Sequence, residues 1–400
     1  MKKIKSLLIC AAAIACPILI NTDNAVGSAL RSAAYISAGV YPESESSSRL
    51  SPGSYSSPES IFEQNSFSSP DKPVISEKIE QESSSSLLSN ISSAESSSIH
   101  EIQPEPSVRG TVIRLNASTL EDKTDYSAFT EHSGTILRFN YGKYSSTNYI
   151  NLPSGAQIRN CTYVSNSTLE AASKLLPELA GNYNPSEPQV LIYHTHTTES
   201  FFPEADWFDK RYPSRSLSAE RNTTAIGDAL CEALAKRGIS SVHDCTVHDY
   251  PSFTGAYARS AQTIQRNLEQ YPSIKIIIDL HRDGIVNADG SLAAPVAEIN
   301  GKNAAQFMII SGCDDGTFDM PDYIENFKLA SLLQNCAEKA YPGLARAVLF
   351  DYRCYNQNYS TGALLIEVGS HGNSLNEVVY TGELLGNVIA DALEERFGGQ

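Results

Sequence analysis

No CxxC pair occurs among the eight cysteines of this 400-residue chain, and their spacings are wide. That argues against a thiolate zinc knuckle. Cys10 and Cys16 lie near the start. Cys161, Cys231, Cys245, Cys313, Cys336 and Cys354 read as buried free thiols in a large core. Basic residues are in the minority: 30 Lys and Arg face 46 Asp and Glu, for a net charge of −16. This balance argues against nucleic acid as a partner, and against attraction to anionic lipid or anionic wall polymers. Charged residues are only 19% of the chain and hydrophobic ones 41%, so part of it can bury a core. No internal repeat is visible. The N-terminal apolar stretch, 7–20, is interrupted by Pro17 and falls short of the about 20 residues that a spanning helix needs.

What is present divides the chain into four parts. Lys2, Lys3 and Lys5 precede the apolar stretch, the layout of a signal peptide. Ala25-Val26-Gly27 is a small-x-small cleavage candidate, but it lies several polar residues further on. An uncleaved membrane anchor therefore stays open, as does lipidation at Cys16. All three readings export the rest of the chain, so an extracytoplasmic location is expected. Residues 28–107 are expected to be a disordered linker rich in Ser, Glu and Pro. Within it, 42–108 holds eleven acids against Arg49, Lys72 and Lys78, about half of the excess charge. Such a tether supplies reach from a membrane surface to a substrate. Residues 108–162 show strand-like runs with Asn, Gly, Asp and Ser punctuation, and read as a small β-rich module, either an accessory domain or a lead-in to the main sheet.

From 163 to 400, strand patterns alternate with helical ones. Apolar residues at helical spacing predict helices over 219–238, 256–271, 321–340 and 375–397. Strands are expected at 190–193, 274–280, 305–310, 347–350 and 363–368. The order implies an α/β fold with a mostly parallel, doubly wound sheet and helices on both faces.

Three short apolar runs end in polar motifs: His194-Thr195-His196-Thr197-Thr198-Glu199, His281-Arg282-Asp283-Gly284 and Glu367-Val368-Gly369-Ser370. Runs this rich in Val, Ile and Leu suit strands buried on both faces. Open α/β sheets carry functional groups beyond the carboxyl ends of their strands. Imidazoles and carboxylates brought to one edge are what a hydrolytic zinc needs.

His196 and Glu199 are three apart. They share a face if a helix begins there, and the bland alternative is helix capping by Thr197 or Thr198. His194 competes with His196 as the ligand. His281 is a ligand candidate, with Asp279 or Asp283 as its supporting carboxylate. Glu367 interrupts an apolar strand, where a bare carboxylate costs several kcal/mol. Either Arg282 pairs it, or it is a raised-pKa base facing an activated water. Asn356 and Gln357 are candidates for substrate contact, and Asn222 is ambiguous between that and shaping a turn.

These motifs, together with His248-Asp249-Tyr250-Pro251, Tyr257-Ala258-Arg259-Ser260, Tyr355-Asn356-Gln357 and Gly372-Asn373, resemble the stage II sporulation protein P family. The resemblance covers about 188 to the C-terminus. It implies a zinc-dependent N-acetylmuramoyl-L-alanine amidase, often with endopeptidase action on peptidoglycan, at the sporulation septum during engulfment. It implies a partner, the transglycosylase stage II sporulation protein D, and a fold like that of zinc-dependent wall amidases. Carried onto this chain, the family pattern makes His196, Glu199 and His281 the metal ligands and Glu367 the catalyst. His371 departs from the pattern, standing where a small polar residue is expected. Competing readings are a zinc peptidase without amidase action and a wall-binding scaffold with a vestigial site.

Overall fold

The computed structural model describes residues 109–181 and 183–398. The expected export segment and linker lie outside the described residues. Among the described residues, no helix is long and apolar enough to cross a membrane.

Among the described residues, nine strands form the main sheet. In chain order they are β1 (Val112–Leu115), β3 (Tyr149–Asn151), β4 (Gln157–Asn160), β5 (Val190–Tyr193), β7 (Ser241–Asp244), β8 (Ile276–Asp283), β11 (Phe307–Cys313), β12 (Val348–Tyr352) and β13 (Ala363–Ser370). Their order across the sheet is β1-β7-β5-β8-β13-β11-β12-β4-β3. Neighbours run parallel except β13 with β11 and β4 with β3. A second sheet joins β2 (Gly134–Phe139), β6 (Trp207–Phe208), β9 (Leu292–Ile299) and β10 (Lys302–Ala305) in the order β10-β9-β2-β6.

Among the described residues, five α-helices accompany the sheets: α1 (Asn166–Ala172), α2 (Thr224–Lys236), α3 (Ala256–Gln270), α4 (Tyr323–Ala340) and α5 (Leu375–Phe397). Side chains alternate across each strand. Ile192, Ile276, Ile278 and Ile366 therefore face one core, with Leu230 of α2, Phe327 of α4 and Val388 of α5. Leu191, Tyr193 and Ile277 face a second core, with Ile264 of α3. Both faces are covered, which is why β5 and β8 read as unbroken apolar runs. Helices α2 and α5 pack closely because a Cβ on Gly386 would lie 2.6 Å from the Leu230 carbonyl oxygen.

Of the two alternatives for 108–162, the strands follow the lead-in to the main sheet and not a separate accessory domain. They are shared out: β1 lies beside β7 at one edge of the main sheet, β3 and β4 form the other edge, and β2 joins the second sheet. Strands of three to six residues bury too little surface to stand alone. Strand β7 escaped the pattern reading because Ser-Val-His-Asp has one apolar residue, yet all four positions are buried.

Candidate active site

Strands β5, β8 and β13 are consecutive neighbours in the sheet, and their carboxyl ends carry the three motifs side by side. Tyr193 pairs in register with Asp279, and His281 with Glu367. Adjacency of two parallel strands thus sets the imidazole of β8 beside the carboxylate of β13.

After β5 the chain makes a turn instead of the helix considered from the spacing. The Glu199 amide donates to the His196 carbonyl at 3.1 Å, so one tight turn still sets the two residues together. The threonines do not cap a helix. Thr197 Oγ1 donates to the carbonyls of His194 and Thr246, and Thr198 Oγ1 donates to Asp249 Oδ2 at 2.7 Å. The Thr223 amide donates to the Glu199 carbonyl at 3.1 Å, anchoring the turn to the start of α2.

Glu199 Oε2 lies 3.6 Å from His281 Nδ1 and accepts the Arg282 amide at 3.1 Å. Burial raises the Glu199 pKa, but His281, Arg282 and His196 outweigh it and hold it below the usual carboxylate value. On the other side of the ring, His281 Nε2 is 3.0 Å from Asp279 Oδ1, close but off the line of a hydrogen bond. Asp279 is itself fixed by the Thr195 amide and Thr195 Oγ1, both at 2.7 Å. Burial opposes charge on His281, yet Asp279, Glu199 and Glu367 together push its pKa up to about 10. The pocket therefore concentrates negative charge and favours a cation.

The His196 ring stands edge-on to His281, with centroids 5.2 Å apart, and its buried Nδ1 has no hydrogen-bond partner. Burial pushes its pKa down to about 4, so the imidazole is neutral and free to donate a lone pair. Glu367 Oε2 is also enclosed without a partner. Burial raises the Glu367 pKa to about 8, with Asp283 adding to the rise and His281 opposing it. Two imidazoles and a carboxylate, with buried polar atoms left unpaired, fit a divalent cation of the zinc kind.

His194 belongs to another network. Its Nδ1 donates to the Leu280 carbonyl at 3.2 Å, so in the neutral ring Nε2 accepts from His243 Nε2 at 2.9 Å. Burial, then His243, pushes the His194 pKa down to about 3. Gly227 makes room for this pair, since a Cβ there would lie 2.4 Å from His243 Nε2. Asp228, His243 and Cys245 also bring ligand-type atoms within 4.8 Å of one another. Arg114 already holds both oxygens of Asp228, at 2.8 and 3.2 Å, and its charge opposes a cation there.

The remaining candidates support the site from outside it. Arg282 does not pair with Glu367. Its guanidinium donates to the Ser200 and Ser214 carbonyls, both at 3.1 Å, and ties the 200–214 loop to β8. Asn356 Nδ2 donates to the Tyr257 carbonyl and to Ser260 Oγ, both at 3.0 Å. Gln357 is buried against β11, accepting from Gly312 and donating to Ile310. Gln357 thus spends both ends of its amide on the protein, and Asn356 its Nδ2. Asn222 Nδ2 likewise donates to the Ser216 carbonyl at 3.0 Å. The departing His371 packs against Phe202, with ring centroids 6.0 Å apart.

Pattern reading missed the aromatic wall of Phe253, Tyr257 and Tyr355, and the Asp249–Arg215 pair beneath it. The motifs at 248–251, 257–260 and 355–357 contain Asp249, Tyr257 and Tyr355, whereas no motif contains Phe253 or Arg215.

Comparison with known proteins supplies the lineage. Stage II sporulation protein P of Bacillus subtilis (strain 168) is 31% identical over 225 residues, covering 52% of this chain and 51% of that protein. The chain therefore spans about half the length of the curated relative it matches. Among solved structures, N-acetylmuramoyl-L-alanine amidase AmiC2 of Nostoc punctiforme is 12% identical, covering 54% of this chain and 99% of that chain, with TM-score 0.33. The CwlD amidase from Clostridioides difficile in complex with the GerS lipoprotein is 12% identical, covering 53% and 100%, with TM-score 0.34. Similarity this low carries nothing about the site. Residues 63–390, most of the chain, match the profile of the family described as stage II sporulation protein P (SpoIIP), and the chain belongs to that family.

Proposed function

We propose that this chain is a zinc-dependent peptidoglycan hydrolase, an N-acetylmuramoyl-L-alanine amidase working in septal wall remodelling during sporulation. The observation that carries the reading is the enclosed Oε2 of Glu367, without a hydrogen-bond partner and in register with His281, whose ring lies 3.6 Å from Glu199. A structural salt bridge would have left no such orphan.

His196, Glu199 and His281 would hold the zinc. When bound, zinc would act as a Lewis acid toward water and the scissile carbonyl. The chain's own work is proton transfer. Glu367 accepts a proton from the attacking water as the new C–O bond forms. It then returns that proton to the departing amide nitrogen as the C–N bond breaks, so the peptide leaves as a neutral amine. A carboxyl whose pKa is raised toward neutral suits both halves of that exchange. Asp279 holds the His281 ring from behind, and Arg282 keeps Glu199 and its loop in place.

Endopeptidase action, extracytoplasmic membrane attachment and partnership with stage II sporulation protein D belong to the same proposal. Endopeptidase action and the partnership rest on family membership, and membrane attachment on the basic and apolar N-terminal stretch as well. The test is mass spectrometry of peptidoglycan digested with the purified protein. Stem peptides with a free L-alanine amino terminus are expected. Cleavage only within stem peptides would leave a zinc peptidase. Binding to glycan strands with no zinc and no cleavage would leave a vestigial scaffold.

A further inference from the structure

An exposed phenylalanine covers His196. Phe253, 41% exposed, lies in the loop between β7 and α3. Its ring stacks on the His196 imidazole with centroids 4.3 Å apart and planes 16° apart. The placement is built. Arg259, at the front of α3, donates to the backbone carbonyls of His248, Ser252 and Thr254, gripping the loop on both sides of Phe253. The loop is also clipped to the turn that carries His196. Asp249 accepts the Thr198 amide and hydroxyl, and Arg215 Nη1 reaches Asp249 Oδ2 at 2.6 Å. The Arg215 guanidinium carbon lies 4.7 Å from the Phe253 ring centre, a cation–π contact. Tyr257 stands edge-on to His196 with centroids 5.6 Å apart.

His196 needs such walls. Its open Nδ1 is the nitrogen offered to a metal, and among the described residues no hydrogen bond at Nε2 fixes the ring, although a metal-binding histidine is ordinarily oriented through its other ring nitrogen. Here flat aromatic contact sets the ring plane. We propose that Phe253 is a positioning residue for His196. It fixes the imidazole plane by stacking and keeps water from its face, and Arg259 and the Arg215–Asp249 pair hold Phe253 in place. The inference rests on the zinc reading of the site.

The test uses the full chain and two variants. Phe253→Leu keeps apolar bulk and removes the flat ring, and Phe253→Tyr keeps the ring. Zinc affinity is read by competition with a chromophoric chelator, and kcat and KM by amide cleavage. The orientation of His196 is read from NMR contacts between its ring protons and those of Tyr257 and His281. Phe253→Leu should weaken zinc binding on the order of 10-fold, the low end for losing a group that orients a ligand. It should lower kcat more than it raises KM, and weaken the ring contacts. Phe253→Tyr should restore all three. Wild-type zinc affinity in Phe253→Leu overturns the proposal. If the wild type binds no zinc, the zinc reading fails instead. The ring contacts then decide the positioning role alone, and their persistence in Phe253→Leu overturns it.

Discussion

Replacing Glu367 with Gln should have two opposite effects in one protein. The carboxyl pKa rises from an ordinary 4.5 to about 8 in the metal-free fold, chiefly through burial. The sign follows from linkage. A folded pKa above the unfolded one favours the fold fully below pH 4.5, and that contribution is lost as pH rises toward 8. At pH 7 the unfolded carboxyl is ionised and the folded one mostly protonated. With about 1.36 kcal/mol per unit over the interval from 4.5 to 7, keeping that proton costs about 3 kcal/mol as an upper figure. Gln holds the same shape without a proton to bind. Glu367→Gln should therefore stabilise the zinc-free protein at pH 7, by up to about 3 kcal/mol. The gain should shrink toward zero near pH 4. It should also shrink when zinc is added, because a cation answers the carboxylate charge. Turnover should move the other way, falling by at least roughly 10²-fold, or about 2.7 kcal/mol in barrier. The assays are denaturant unfolding of both proteins from pH 4 to 8 in chelator, with zinc content and amide cleavage on the same preparations. Buried His194, His196, His248 and His371, whose pKa values are lowered, add a slope of the opposite sign in both proteins, and His281, whose pKa is raised, adds one of the same sign, so the difference between the two curves is the quantity read. A difference that does not change with pH would refute the buried-carboxyl argument. Retained cleavage would move the general base elsewhere, and loss of zinc would make Glu367 a ligand.

Three further outcomes are expected. His196→Ala should remove most zinc and leave the fold intact, whereas His194→Ala should keep zinc and lose about 1–3 kcal/mol of stability by orphaning its buried partners. Zinc analysis beside thermal unfolding checks the pair, and greater zinc loss from His194→Ala would reverse the assignment. Asp244 should contribute to acid sensitivity. Burial raises its pKa, but Asn116, Thr246, Asn267 and Arg266 outweigh that and hold it at about 2. A depressed folded pKa adds stability above the ordinary 3.8, lost as pH falls toward 2. The contribution is about 2 kcal/mol, and unfolding curves of Asp244→Asn should lack that acid-side slope. Finally, a protein starting at Arg109 should fold and cleave sacculi, whereas one starting at Thr162 should aggregate. The shorter protein lacks β1, β3 and β4 and so bares both edges of the main sheet. Circular dichroism and size exclusion of the two truncations decide this, and a soluble, active shorter protein would show the edge strands to be dispensable.

Much of this site can be read from one dimension because a parallel sheet makes it local. A buried strand appears as a run of Ile, Leu and Val, and the residue where the run stops lies at the functional edge. His281 and Glu367 were legible for that reason, and so was the alternation that implies the doubly wound core. Tertiary structure decided what depends on neighbours distant in sequence. His194 and His196 are chemically the same and two residues apart. Only the position of His243, 49 residues on, draws His194 into a buried pair and leaves His196 with an open nitrogen. Arg282 was a reasonable partner for Glu367 by charge, but its side chain is spent on the carbonyls of a loop that the pattern did not place. Asn356 and Gln357 looked available by type, but α3 takes the Asn356 amide nitrogen and β11 both ends of the Gln357 amide. Strand β7 was missed, and the placing of the segment from 109 to 162 left open, for a related reason. Polar residues in a strand announce a surface, unless partners elsewhere satisfy them. Short strands announce a small module, unless the edges of a larger sheet take them in. Backbone pattern records which face a residue takes, whereas the energy of a polar group depends on which atoms meet it there.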